Sequence, residues 1–223
     1  MMADPWRRRS SWGSGRATGL LTIVSTVVYL VSDVLEAAHG GFTAFQLWLT
    51  LVAEVTLPVF VLGLFAAQRP QIGRLGRSGA IGYALAYVYF TYTVGYALAA
   101  QTPDFETLNR DLGAPMTIAG GLMVLSGLAF AAAVHRARLL PRWTGFALAV
   151  GVVAVAAALA LPTAVQLVAI GLRDVAFLGM GVALLRPTAR SETDTSIVLA
   201  RSTERRTSAC TGFRSAREVI GAC

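Results

Sequence analysis

Six stretches of this chain, residues 20–38, 44–67, 79–100, 115–134, 143–161 and 163–185, are each long and apolar enough to bridge a hydrocarbon layer as a helix. A bilayer core about 30 Å thick needs ~20 residues at the helical rise of 1.5 Å each. In lipid the backbone must satisfy its own hydrogen bonds, so only helices and closed barrels span it. Barrel strands give short alternating segments, and none is visible. Composition points the same way. Hydrophobic residues make up 55% of the 223 and charged residues 14%, against roughly 25% charged in a soluble domain. Mean hydropathy is +0.61. The surface of a soluble domain this size needs more charge than that, which excludes both a water-soluble enzyme and a disordered chain. The predicted fold class is all-α, an integral membrane bundle of six transmembrane helices.

The net charge of +7 would suit nucleic acid, but the Arg residues flank the apolar runs, so membrane orientation explains them and no nucleic-acid partner is expected. There is no Lys, which fits a genome rich in GC codons. Arg7, Arg8, Arg9 and Arg16 precede the first run. Arg69, Arg74 and Arg77 follow the second; Arg136, Arg138 and Arg142 follow the fourth; Arg186 and Arg190 follow the last. The intervening loops carry only Arg110, beside Asp104, Glu106 and Asp111. Every other loop is basic, as six spans with both termini cytoplasmic require, in a multi-pass protein of the cell membrane. The first run is longer than a signal-peptide core and is read as a retained helix. Residues 1–19 read as a basic cytoplasmic segment, 20–186 as the transmembrane domain, and the Ser-, Thr- and Arg-rich 187–223 as a disordered cytoplasmic tail. Cys210 and Cys223 lie in that tail and give no disulfide framework or metal spacing.

Ionisable residues inside a bilayer are expensive and each needs a reason. Asp33 and Glu36 lie toward the outer end of the first run, Glu54 lies in the second, and Arg173 and Asp174 lie in the last. Counting from the outer side, Glu54, Arg173 and Asp174 sit roughly 15 Å deep, near the midplane. Tyr29, Asp33 and Glu36 fall at i, i+4 and i+7 on one helical face. Thr50 is one turn before Glu54, and Pro58 frees the Glu54 carbonyl from its helical partner. These acids are expected to line one cavity open toward the outer half of the membrane. The plainer alternative is that Arg173 pairs with Glu54 or Asp174 to clamp two helices, while Glu36 snorkels to the headgroups.

Five of the six Tyr crowd the third run. Tyr89, Tyr92 and Tyr96 share one face, and Tyr83, Tyr87 and Phe90 another. Tyr87, Tyr89, Phe90 and Tyr92 are too deep for an interfacial belt, and a buried hydroxyl wants a partner. They are either the wall of a substrate pathway or a packing stripe.

No phosphate-binding loop, dinucleotide fingerprint, His/Cys metal cluster or Asp-rich magnesium-diphosphate motif is present, so neither metal nor cofactor is expected. What remains is carboxylic acids among aromatic walls. A desolvated acid tends to keep its proton, and aromatic faces stabilise cations. Such a site suits protonation and cyclisation of a prenylated lipophilic substrate, with membrane lipid as the other partner.

The layout from about residue 20 to 185 resembles the small integral-membrane terpene cyclases of meroterpenoid and indole-terpenoid biosynthesis in fungi and actinobacteria. In the fungal members an essential Glu lies on the second helix and an essential Asp on the last. Glu54 and Asp174 match those two positions, although the fungal enzymes have seven spans. The resemblance implies catalytic roles for Glu54 and Asp174; the reading of the buried charges and tyrosines adds Asp33, Tyr87, Tyr89, Tyr92 and Arg173 as expected substrate-binding residues. Two other classes stay open: a small proton-coupled transporter, which also uses midplane acids, and an accessory or structural membrane protein whose acids are clamps.

Overall fold

The computed structural model describes residues 6–158, 161 and 163–186, with side chains for 15–158, 161 and 165–186. The described residues up to 185 belong to one compact unit. The tail expected from residue 187 lies outside the described residues. Among the described residues there are seven helices and no strand: α1 (Trp6–His39), α2 (Ala44–Ala67), α3 (Gly73–Ala100), α4 (Phe105–Leu112), α5 (Ala114–Ala137), α6 (Arg142–Ala158) and α7 (Thr163–Leu185). Six correspond to the apolar runs. The seventh, α4, is short and joins α3 to α5.

Among the described residues, four helical stretches are long and apolar enough to cross a membrane: Gly15–His39, Ala44–Ala67, Ala114–Ala137 and Val165–Leu185. α6 is apolar but shorter. α3 has the length, but its Arg, Thr, Gly and Tyr content dilutes its hydropathy.

The exterior is apolar, unlike that of a soluble protein, and several helices turn their polar side chains inward. On α1, Val24, Val27, Val31 and Val34 are exposed, while Thr22, Ser25, Thr26 and Ser32 are buried. On α7, Val168 and Val175 face out while Arg173 and Asp174 are buried. Exposed apolar faces on this scale need lipid against them. The helices are therefore those of a membrane protein.

The helices close into a ring. Each packs on two neighbours in the order α1, α2, α3, α5, α6, α7 and back to α1. One end of the ring carries the α1–α2 turn and α4, joined where Phe42 N–H donates to the Pro103 carbonyl (2.8 Å). α4 starts because Asp104 caps it, its carboxylate accepting from Thr107 N–H at 2.8 Å. That bond holds the Asp104 carboxyl below its usual range. The cap is thus fully charged at neutral pH, and its contribution to α4 is lost as pH falls through the lowered value.

Glycine lets backbones meet at several crossings, among them α3 on α5 and α6 on α7. A Cβ at Gly79 would stand 2.5 Å from the Phe130 backbone nitrogen, so α3 and α5 touch there. A Cβ at Gly151 would stand 2.6 Å from Arg173 Cα, which brings α6 against α7 beside the buried charges. Gly151→Ala is expected to lower stability by about 1–3 kcal/mol, the usual cost of an extra methyl in a packed contact. A thermal melt in detergent micelles checks it. An unchanged melting temperature would mean that the two backbones part at no cost.

Candidate functional site

The interior of the ring is filled on the side away from α4 by Phe60, Leu64, Tyr83, Phe130, Leu148, Phe177 and Met180. Phe177 of α7 packs edge-on against Phe60 of α2 (centroids 5.3 Å apart) and lies 6.2 Å from the Tyr83 ring of α3. Above this aromatic floor, four helices supply one charged layer.

Arg173 is its centre, 5% exposed. Its Nε and Nη2 both donate to Asp174 Oδ1 at 3.0 Å. Nη1 donates across the ring to Tyr87 Oη at 2.9 Å. The guanidinium also lies 5.0 Å from the centre of the Tyr29 ring on α1, within cation–π range. On the α1–α2 side, Tyr29 Oη donates to Glu54 Oε1 at 3.2 Å. Asp33 lies one turn above Tyr29 on the same face of α1, and its Oδ2 is buried.

One of three carboxyls is paired with the guanidinium, and each of the three keeps one buried oxygen without a protein donor: Asp33 Oδ2, Glu54 Oε2 and Asp174 Oδ2. An orphaned acceptor in a low-dielectric interior is costly. Such atoms persist where a ligand, a water or a transferable proton uses them. The acids are not gathered as a metal cage: among the described residues no group of three or more His, Cys, Asp or Glu is placed to hold an ion.

Between this layer and the α4 end runs a seam of uncharged polar groups. Gln46 Nε2 faces Glu36 Oε2 (3.2 Å), Ser32 Oγ (3.2 Å) and Thr50 Oγ1 (3.1 Å). The Ser32 and Thr50 hydroxyls bond each other. Below Glu54 the α1–α2 seam continues with Thr56 and Ser25, whose hydroxyls are 2.7 Å apart.

Of the residues singled out by sequence, Asp33, Glu54, Tyr87, Arg173 and Asp174 share this layer. Tyr89 is half-buried and packs on Phe90 and Tyr92. Tyr92 is 59% exposed and turned away from the layer. Arg173 pairs with its neighbour on the same helix and makes no ion pair with Glu54 among the described residues, so its ion pair joins no two helices. The links between helices are the Tyr87 and Tyr29 contacts. Sequence reasoning underrated Tyr29, Tyr83, Ser32 and Gln46. The ladder Gln46, Thr50, Glu54 at i, i+4, i+8 was a readable sign that one face of α2 is polar.

Tyr87→Phe removes the acceptor for Arg173 Nη1 and is expected to cost about 1.5–3 kcal/mol, as for a hydrogen bond to a charge. Tyr92→Leu, on the outer face, should stay within about 0.5 kcal/mol. Melting both variants in the same detergent checks the ranking. Equal losses would mean that the Arg173–Tyr87 bond adds nothing.

Comparison of the chain with protein-family models, with curated proteins and with solved structures gives no match in any of the three.

Proposed function

We propose that the chain is a membrane-embedded proton-transfer enzyme of the terpene-cyclase kind, acting on a prenylated lipophilic substrate. The observation that carries this reading is the set of three carboxyls, each with a buried oxygen that has no protein donor, on the helices that also carry one buried guanidinium and the two tyrosines bonded to Glu54 and Arg173. Glu54 is the general acid: its Oε1 is held by Tyr29, and its Oε2 is free to meet a substrate. Asp174 has one oxygen tied by Arg173 and one free, which suits it to take the proton back. Tyr29, Tyr83 and Tyr87 offer ring faces to a passing cation. Asp33, Tyr87 and Arg173 border the substrate in this reading, and Tyr89 and Tyr92 lie at or beyond its rim.

The test is incubation of the protein in lipid nanodiscs with farnesyl- and geranylgeranyl-substituted indoles and phenols and their epoxides. The expected result is a product of unchanged mass and new retention time by liquid chromatography–mass spectrometry. If no compound in the panel is isomerised, the cyclase reading falls. Proton-coupled transport is the second reading, favoured by the polar seam along α1 and α2, and proton flux in dye-loaded liposomes would then reveal it.

In this proposal all six long helices cross the cell membrane with both termini cytoplasmic, and α4 lies at the outer face, as the alternation of Arg-rich loops implies. Cysteine labelling of intact cells should leave Cys210 unmodified by an impermeant reagent. Labelling from outside would overturn this topology.

A further inference from the structure

The proposed chemistry leaves a debt within the site, and the α1–α2 seam is placed to clear it. Glu54 gives its carboxyl proton to one alkene carbon; the π pair forms the new C–H bond, and the neighbouring carbon becomes the cation. After ring closure a C–H pair beside the last cation becomes an alkene, and its proton goes to Asp174. The substrate is isomerised with no net change of atoms, but one proton has moved from Glu54 to Asp174. A second turnover requires Glu54 to be reprotonated and Asp174 to lose its proton.

We propose that Glu54 is reloaded through a proton-uptake route that starts at Glu36 and runs through Asp33 with water, held open by Gln46, Ser32 and Thr50. This rests on the reading of Glu54 as the acid. Glu36 is half-buried at the α4 end, where solvent reaches it. Asp33 is one turn deeper on the same face of α1, and Tyr29 one turn deeper again, with its hydroxyl already on Glu54.

Three buried acceptors along this line, Gln46 Oε1, Asp33 Oδ2 and Glu54 Oε2, have no protein donor. Sites lined by several polar groups at this spacing are where proteins hold internal water. Carboxyls one turn apart, joined by water, pass protons by exchange of hydrogen bonds. Gln46 is the positioning residue. Its amide ties Glu36, Ser32 and Thr50 together and is 1% exposed. Each group is worth more to the fold if bonded than if orphaned, yet the seam keeps three acceptors open. Structural clamping alone explains the bonded atoms and leaves the open ones unexplained.

The test needs no substrate. In nanodiscs transferred to heavy water, infrared difference spectroscopy follows deuteration of the carboxyl band that disappears in Glu54→Gln. Gln46→Leu and Asp33→Asn are each expected to slow that exchange at least tenfold (on the order of the lower bound for losing a positioned proton-transfer group). Ser126→Ala, whose hydroxyl bonds only its own helix, should exchange as the wild type does. If Asp33→Asn does not fold, Gln46→Leu carries the test, because Leu has similar volume and the Glu36 carboxylate that loses its Gln46 donor is only half-buried. Wild-type exchange rates in folded Gln46→Leu would overturn the route. Absence of any carboxyl band assignable to Glu54 would overturn both the route and the acid mechanism. Slowed exchange with normal cyclisation by Glu54→Gln would keep the route and remove Glu54 as the acid, and slowed exchange with no compound isomerised by the wild type would keep the route and remove the cyclase reading.

Discussion

Glu54→Gln is expected to give a folded protein that has lost cyclisation by a factor of about 10²–10⁴, the usual yield of a positioned general acid. Gln has the shape of Glu, and its amide oxygen can still accept from the Tyr29 hydroxyl that now lies 3.2 Å from Glu54 Oε1. The bundle therefore keeps its contacts, and only the transferable proton goes. Asp174→Asn should cost comparably. Its oxygen can still receive the two Arg173 donors at 3.0 Å, but it no longer takes up a proton. Product formation is measured beside folded yield from size-exclusion chromatography. Two folded variants with normal turnover would end the acid mechanism. Two misfolded variants would favour the acids as structural elements instead.

Arg173→Met is expected to do more harm to the fold than any other single substitution in the layer. Asp174, 2% exposed, would keep a buried carboxyl with no counter-charge, and Tyr87 Oη would lose the donor that reaches it across the ring. Breaking a buried ion pair from one side costs about 3–5 kcal/mol, a large part of a net stability of about 5–15 kcal/mol. Folded yield should fall sharply. The pair Arg173→Met with Asp174→Leu should recover much of it, because replacing both partners by apolar groups removes the unpaired charge. If the single variant melts like the wild type, neither the charge balance at Asp174 nor the Arg173–Tyr87 bond stabilises the fold.

Why was so much of the bundle visible in the sequence and so little of its middle? α2 and α7 begin and end where the apolar runs do, since lipid-facing helices must be apolar along their length. α4 was hidden because a helix of eight residues has no apolar run; its signals were the Asp104 cap and the Glu106–Arg110 pair. α3 starts at Gly73, since Arg74 and Arg77 tolerate a helical end as readily as a loop. α1 begins at Trp6, ahead of its apolar run, for the same reason. In the Tyr-rich run, helical periodicity separates two faces without saying which turns inward. The face of Tyr83 and Tyr87 does, because it meets Phe177 and Arg173, residues nearly a hundred positions away. The depth of Glu54, Arg173 and Asp174 was readable by counting residues, but the choice of Asp174 over Glu54 as ion-pair partner depends on side-chain rotamers.

The pairing of Arg173 with its immediate neighbour has a consequence for how the chain enters the membrane. Helices insert first and associate afterwards. A lone Arg near the middle of an inserting helix is costly on every scale, by about 2.5–3.5 kcal/mol even on the mildest. On α7 the opposite charge is carried by the adjacent residue, with two donors meeting one carboxylate oxygen. α7 therefore arrives at the bilayer as a dipole, already neutralised within itself. It does not have to wait for α1 or α3 to supply a counter-ion. Tyr29 and Tyr87 then receive a guanidinium whose charge has already been answered, and closing the ring becomes a matter of fitting rather than of rescue.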